Sequence, residues 1–492
     1  MRAHASLADD LDTEICVVGA GIAGLMTAWS LLRQGRNVIV LEAGAVGGGE
    51  TARTTAHLAS ALDDGFRHLA RLFGADGART AYESHAHAID VIEALVTQEK
   101  IDCDFTRLDG YLFTPSSESS ALEDLDHEYN AALQAGAIVE RLSHPPLDSL
   151  SAGQCLRFAN QAQFHPLKFV AGLTDLIARL RGLIYTNTFV SRLIGGDRPY
   201  VQTQEGRIIT ARTIVITTNT PIGDNLVIHT RQAPHRTYVI GASVPWEAVP
   251  RALYWDTLDP YHYVRLKSAR TPENRNGSDV LIIGGEDHRS GSGDESDRFT
   301  CLEQWAAERF PISTVDFRWS GMVFEPSDSL GFIGPDNAQK NVFIATGDSG
   351  HGITHGVIAG ILLTDLIAGR TNSWAKLYDP SRVSLSSAPE YVKQNIDVAA
   401  NLGRWLTPGE VSERAQIGRG SGAVLRDGLA KRAVYRDSTG ALHEFSAVCP
   451  HLGCLVAWNN TESTWDCPCH GSRFDRDGQV IHGPATSDLE KV

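Results

Sequence analysis

An α/β domain carrying an inserted α+β lobe, followed by a small all-β module, is the fold this sequence predicts. Three observations carry that prediction. A complete βαβ unit lies near the N-terminus, short apolar strands recur around Ile214 and Phe343 with helical and β-rich stretches between them, and the chain turns to short strands and tight turns after Gly418. At 492 residues the chain exceeds what one hydrophobic core organises, so two or three domains are expected. The boundaries read as 1–380 for the α/β domain, with the lobe at about 80–140 and 230–325. Residues 381–415 read as a connector with one helix, and 416–492 as the β-module.

Composition narrows the function classes. Hydrophobic residues make up 42% and charged residues 21%, as in a globular protein. The net charge of −15, with no basic stripe, argues against a nucleic-acid partner. The N-terminus has no signal-peptide core, and no apolar run approaches the ~20 residues of a membrane span. The richest run starts at Val357, is interrupted by Asp365, and reads as a buried helix. A cytoplasmic protein is the expectation. Cys16, Cys103, Cys155 and Cys301 are scattered, whereas the other four cysteines crowd into Cys449–Cys469 beside two histidines. Such a cluster points to a metal.

The first element is the strand Ile15–Val18, followed by the turn Gly19-Ala20-Gly21-Ile22-Ala23-Gly24. A helix from Leu25 to Arg33 and a second strand ending at Leu41 complete the unit, and Glu42 closes it. A G-x-G-x-x-G motif alone is weak. Here it follows a strand, opens a helix and has an acidic residue after the next strand, which is the dinucleotide-binding, Rossmann-type arrangement. Gly19 makes the turn, Gly21 admits a pyrophosphate, Gly24 packs helix on strand, and Glu42 accepts from a ribose. NAD and FAD share this fingerprint. From about residue 80 to 140 the pattern is helical, and from Thr237 to about Val323 it is β-rich.

The C-terminal segment holds Cys449-x-His451 and, after fifteen residues, Cys467-x-x-His470. Two thiolates and two imidazoles are the ligand set of a Rieske [2Fe–2S] cluster. They also suit tetrahedral zinc, but a zinc site has no need of the flanking HLGC and CPCHGS. From about Ala415 to Val492 the segment resembles the Rieske family. The resemblance implies a Cys454–Cys469 disulfide joining the two ligand loops. It also matches Ser472 to a serine that donates to a cluster sulfur in the high-potential members. Phe474 stands where those members have a tyrosine, so a lower potential is expected.

Residues Thr13 to Pro380 resemble the D-amino-acid oxidase/glycine oxidase/sarcosine oxidase family of FAD enzymes. The carriers are GAGIAGL with Glu42, then GGGETARTTAHLAS (Gly47–Ser60), then VFIATGDSGHGITHG. The resemblance implies FAD held by Gly19, Ala20, Gly21, Ala23, Gly24, Glu42 and Ala43, with Arg53, Thr54 and Thr55 along the pyrophosphate. Thr188 and Val190 match the strand that meets the adenine, though Val190 also reads as a core valine. Gly347, Gly350 and Gly352 permit a tight turn, and N–H groups near Ile353 and Thr354 face the flavin. His57 has two readings, one reaching the substrate and one bonding loop backbone. Tyr261 and Tyr263, with His262 and Arg265, read as substrate cage or as packing, and His351 as a site residue or a turn residue. No arginine is identifiable as a carboxylate clamp.

A flavin takes two electrons and a [2Fe–2S] cluster carries one. The pairing implies flavin-dependent oxidation of an amine or N-substituted amino acid, with one-electron exit through the cluster to an acceptor protein or O2. The alternative is a reductase component, or a redox-regulated flavoprotein, passing electrons between a partner protein and FAD. No second G-x-G-x-x-G in a βαβ setting supports NAD(P)H binding.

Overall fold

In a computed structural model of the chain, the structure describes residues 3–115, 117–150, 154–222, 226–268, 278–291 and 297–492. The predicted lobe includes 116, 269–277 and 292–296, which lie outside the described residues.

The strand Ile15–Val18 is buried along its whole length, as a strand covered on both faces must be. It sits inside a six-stranded sheet ordered Phe332–Pro335, Val342–Thr346, Thr213–Ile216, Ile15–Val18, Val38–Leu41, Leu183–Tyr185. Only Phe332–Pro335 runs antiparallel to its neighbour. The first helix is Ile22–Leu32, so it begins inside the glycine turn and not at Leu25. Helix Gly352–Ile367 packs on it through Gly356 and Gly360. A Cβ at Gly360 would stand 2.9 Å from the Met26 backbone, so these two helices approach closer than any side chain allows.

A nine-stranded sheet roofs this layer. Its path runs Thr314–Pro326, Gln232–Val244, Asp279–Arg289, His262–Lys267, Leu253–Asp256, Thr106–Phe113, Cys155–Gln163, His57–Leu58, with Val139–Leu142 branching from Cys155–Gln163. The helical expectation for 80–140 is corrected here. One helical run spans Phe66–Glu99 with a break at Gly74 (φ 74°), and another spans Ser119–Gln134. Between them Thr106–Phe113 is a strand, because Cys155–Gln163 and Leu253–Asp256 supply partners on both its edges. Tertiary pairing overrides local pattern there. No described helix is long and apolar enough to cross a membrane.

Helix Ala388–Gly403 leads to the C-terminal module, a three-stranded and a four-stranded antiparallel sheet. The segment before it is anchored: Arg382 holds both carboxylate oxygens of Asp328, at 2.9 and 2.7 Å. The module is seated on the nine-stranded sheet by a buried ion pair. Arg236, fully buried, donates to Asp466 Oδ2 at 2.7 Å and to Ser320 Oγ at 2.7 Å. Asp466 also accepts from Asn459, Thr464 and Arg473, so its buried charge is paired.

Candidate active site

Close approach fixes the glycine turn. A Cβ at Gly24 would lie 1.9 Å from the Gly19 carbonyl, and one at Gly19 (φ 106°) 2.7 Å from the Thr217 carbonyl. Gly21 is the N-cap of helix Ile22–Leu32; Thr51 Oγ1 accepts the Ile22 N–H at 3.1 Å, and the next helix-terminal N–H groups, which have no intrahelical partner, are left for an anion. Glu42 accepts from Ala20 N–H at 2.7 Å and Gly44 N–H at 2.9 Å. Burial pushes its carboxyl up, and those N–H bonds oppose the shift.

Between the two layers lies a cavity of about 490 Å³. Gly19, Gly21, Ala23, Glu42 and Ala43 line it, as do Thr188 and Val190 from the neighbouring strand region. Arg53, Thr54, Thr55 and His57 follow, and Gly347, Gly350, His351, Gly352 and Ile353 form a further wall. The residues expected to hold FAD thus converge on one space shaped by glycine backbone, and the fit is good. Ala20 and Gly24 serve the turn behind that wall. The Thr354 hydroxyl is engaged away from it, with His85 Nδ1 at 2.7 Å.

Tyr261 and Tyr263 also line the cavity, their ring centroids 5.5 Å apart. The Tyr261 hydroxyl donates to Asp63 Oδ2 at 3.3 Å, and Tyr263 shares a 2.7 Å hydrogen bond with Thr237. His57 meets Tyr263 edge-on and pairs with Thr55 Oγ1 through Nδ1 at 3.1 Å. Burial, reinforced by the Arg265 charge, holds His57 down to about 3, so it is neutral at physiological pH. His351 Nε2 accepts the Asp63 N–H at 3.0 Å.

Two residues grouped with the tyrosines in the sequence lie elsewhere. His262 points to the opposite face of its strand, stacked on Trp305 at 4.2 Å and bonded to Asp256. Arg265 is buried behind the cavity, holding the Thr55 carbonyl and Gln163. In return, Asp63, Thr237, Trp255 and Asp287 line the cavity without any local motif that marks them.

In the C-terminal module Cys449 and Cys467 are buried and take no part in the disulfide, and the rings of His451 and His470 lie 5.0 Å apart. His470 Nδ1 is buried and makes no hydrogen bond within the protein, as a metal-directed nitrogen would. The donor set therefore fits a [2Fe–2S] cluster. Cys454 and Cys469 form a disulfide. Cys467 lies within 4.8 Å of both, but the bridge removes those two sulfurs from ligation. Ser472 hydrogen-bonds Cys449, and Phe474 is fully buried opposite Trp465.

The two sites share a boundary. Ile481, His482 and Gly483 of the C-terminal module line the same cavity as Gly21 and Tyr263. His482 pairs across its sheet with Arg473, the neighbour of Ser472.

Comparison with known proteins agrees with both halves. The family described as FAD dependent oxidoreductase matches residues 14–366, and the Rieske [2Fe-2S] domain matches residues 408–492. The chain is 32% identical to YhfW of Bacillus subtilis (strain 168), which bears a Rieske 2Fe-2S iron-sulfur protein name, over 99% of this chain and 94% of that one. It is 24% identical to the gamma-glutamylputrescine oxidoreductase of Escherichia coli (strain K12), over 74% of this chain and 85% of the relative. Glycine oxidase from Geobacillus kaustophilus shares the fold at a TM-score of 0.62, with 17% identity, over 76% of this chain and 100% of that chain.

Proposed function

The chain belongs to the FAD-dependent oxidoreductase family and ends in a Rieske [2Fe–2S] domain, and from that premise we propose that it oxidises the C–N bond of an amine or N-substituted amino acid. Electrons leave through the C-terminal module. FAD supplies a two-electron acceptor and the cluster a one-electron carrier.

The protein's own residues have distinct tasks in this reading. Gly19, Gly21 and the N-terminus of helix Ile22–Leu32 would hold a diphosphate, and Glu42 a ribose. The turn Gly347–Gly352 and the start of helix Gly352–Ile367 bring partial positive charge to the flavin end. Tyr261, Tyr263 and Trp255 wall the substrate end against water. His57, neutral in its buried position, serves as a hydrogen-bonding partner and not as an acid. Cys449, His451, Cys467 and His470 hold the cluster, and Ser472 donates to the Cys449 sulfur.

The observation that carries the reading is the shared wall, Ile481–Gly483, which brings the cluster-bearing module to the edge of the cavity. The name of the Escherichia coli relative supports an amine as the substrate class. The terminal acceptor is an external protein or O2.

Anaerobic mixing with a panel of secondary and tertiary amines, amino acids and NAD(P)H tests it. Bleaching of the flavin by an amine, followed by the EPR signal of a reduced Rieske centre, is expected. Reduction by NAD(P)H alone, or by none of the panel, overturns the proposal.

A further inference from the structure

Four strands of the nine-stranded sheet each bring a side chain to the substrate end of the cavity: Thr237, Trp255, Tyr263 and Asp287. For Asp287 this needs a break in strand alternation. Where Gln232–Val244 pairs with Asp279–Arg289, Tyr238 stands opposite Gly285 but Arg236 stands opposite His288. The second strand accommodates one extra residue there, a β-bulge. Regular pairing would put Asp287 on the face of Leu281 and Ile283, inside the apolar core beneath the sheet. The bulge turns it to the face of Thr237 and the cavity. The backbone pays a conformational cost there, since Glu286 adopts φ 58°. Glu286 is held in place by His262 at 3.4 Å and Arg298 at 3.3 Å. A strained conformation held by its surroundings beside a cavity marks a functional position.

The Asp287 carboxylate is incompletely partnered. Thr237 hydrogen-bonds it, while Oδ1 is buried without a partner. A second carboxylate, Asp63, stands at the same end beside the Tyr261 hydroxyl. The Tyr263 ring lies over Gly284, where a Cβ would come within 2.2 Å of it. Among the described residues that line the cavity, Arg53 is the only arginine or lysine, and it is engaged with the Ser320 carbonyl and Glu462. Two carboxylates and tyrosine faces, with no cation to balance them, suit an ammonium group and repel a carboxylate.

We propose that Asp287 anchors an ammonium group of the substrate, with Asp63 and the rings of Tyr261 and Tyr263 completing the site. The substrates are then amines without a carboxylate beside the reacting nitrogen. This rests on the reading of the chain as an amine-oxidising enzyme and narrows it.

The test titrates FAD-loaded protein with tetramethylammonium chloride, and separately with sodium acetate, at fixed ionic strength. Binding is followed by calorimetry and by perturbation of the flavin absorbance, so no turnover is required. Tetramethylammonium is expected to bind and acetate not to. Asp287→Asn should weaken the cation by about tenfold or more with FAD content unchanged, and Asp287→Glu should retain part of the affinity. Equal binding by Asp287→Asn, or preference of the wild-type protein for acetate, overturns the proposal. If Asp287→Asn fails to fold, the wild-type preference still decides. Binding of the cation without flavin bleaching by any amine would instead count against the amine-oxidising reading.

Discussion

The imidazole of His229 stands 4.8 Å from that of His451, centroid to centroid, and crosses it at 78°. It also lies 6.0 Å from the ring of His470. His229 ends the short helix Leu226–His229, outside the C-terminal module, and is buried. Both imidazoles proposed to ligate the cluster therefore meet the oxidoreductase portion through a third imidazole.

If that contact couples the two sites, His229→Ala should slow electron transfer from flavin to cluster by about 10- to 100-fold, the range for losing a group that supports metal ligands. Flash photoreduction of the flavin, with the cluster followed by its absorbance, measures this without substrate. Flavin and iron content should not change. An unaltered rate would reduce the contact to packing.

The Arg236–Asp466 pair predicts how the module is held. Arg236→Met leaves Asp466 with Arg473 and Asn459 but removes its partner across the interface. Breaking a buried pair this way costs about 3–5 kcal/mol, and the remaining partners place this case at the low end. Thermal unfolding should show the loss, and limited proteolysis should cut the segment around Ala388 faster. Adding Asp466→Asn should recover part of the stability, because it removes the charge left behind.

Phe474→Tyr should raise the midpoint potential of the cluster, since a hydroxyl donated to a cluster sulfur stabilises the reduced state. A redox titration followed by circular dichroism measures the change. No change would mean that the buried position opposite Trp465 keeps the hydroxyl from the cluster.

The affinity for tetramethylammonium should depend on pH in one direction. Burial pushes Asp287 up to about 8, with Glu325, Asp63 and Glu286 adding to the shift and the Thr237 hydrogen bond opposing it. Tyr263 faces the same space and is also pushed up by burial. Below pH 8 the free site is mostly protonated, and a cation favours the ionised form. Affinity should therefore rise by up to about tenfold per pH unit towards 8 and level off above it. The probe itself does not titrate. Calorimetry across pH 6–9 checks the slope, which Asp287→Asn should flatten.

The proposed cluster ligands and the tight glycine turn were legible because each depends on local backbone. Cys449 to His470 lie on two loops of one small module, and Gly19 to Glu42 form one βαβ unit, so spacing along the chain carries their chemistry. His262 misled because strand alternation separates it from Tyr263 only once the sheet supplies an inside and an outside, and Arg265, on the face of Tyr263, misled because its guanidinium is taken up by the Thr55 carbonyl and Gln163. The strand Thr106–Phe113 was hidden for a similar reason, since its partners lie at Cys155–Gln163 and Leu253–Asp256.

The sequence by itself determined the two prosthetic groups and the kind of fold that holds each. Only the tertiary structure decided which side chains face the cavity and where the two halves meet. Asp287 reaches the cavity through a bulge defined by its pairing with Gln232–Val244, and Asp63 meets Tyr261 across most of the α/β domain. His229 and His482 approach the boundary from opposite sides of a domain interface. A turn or a metal loop is specified by neighbours in the chain, whereas a cavity is specified by the register and packing of strands far apart in it.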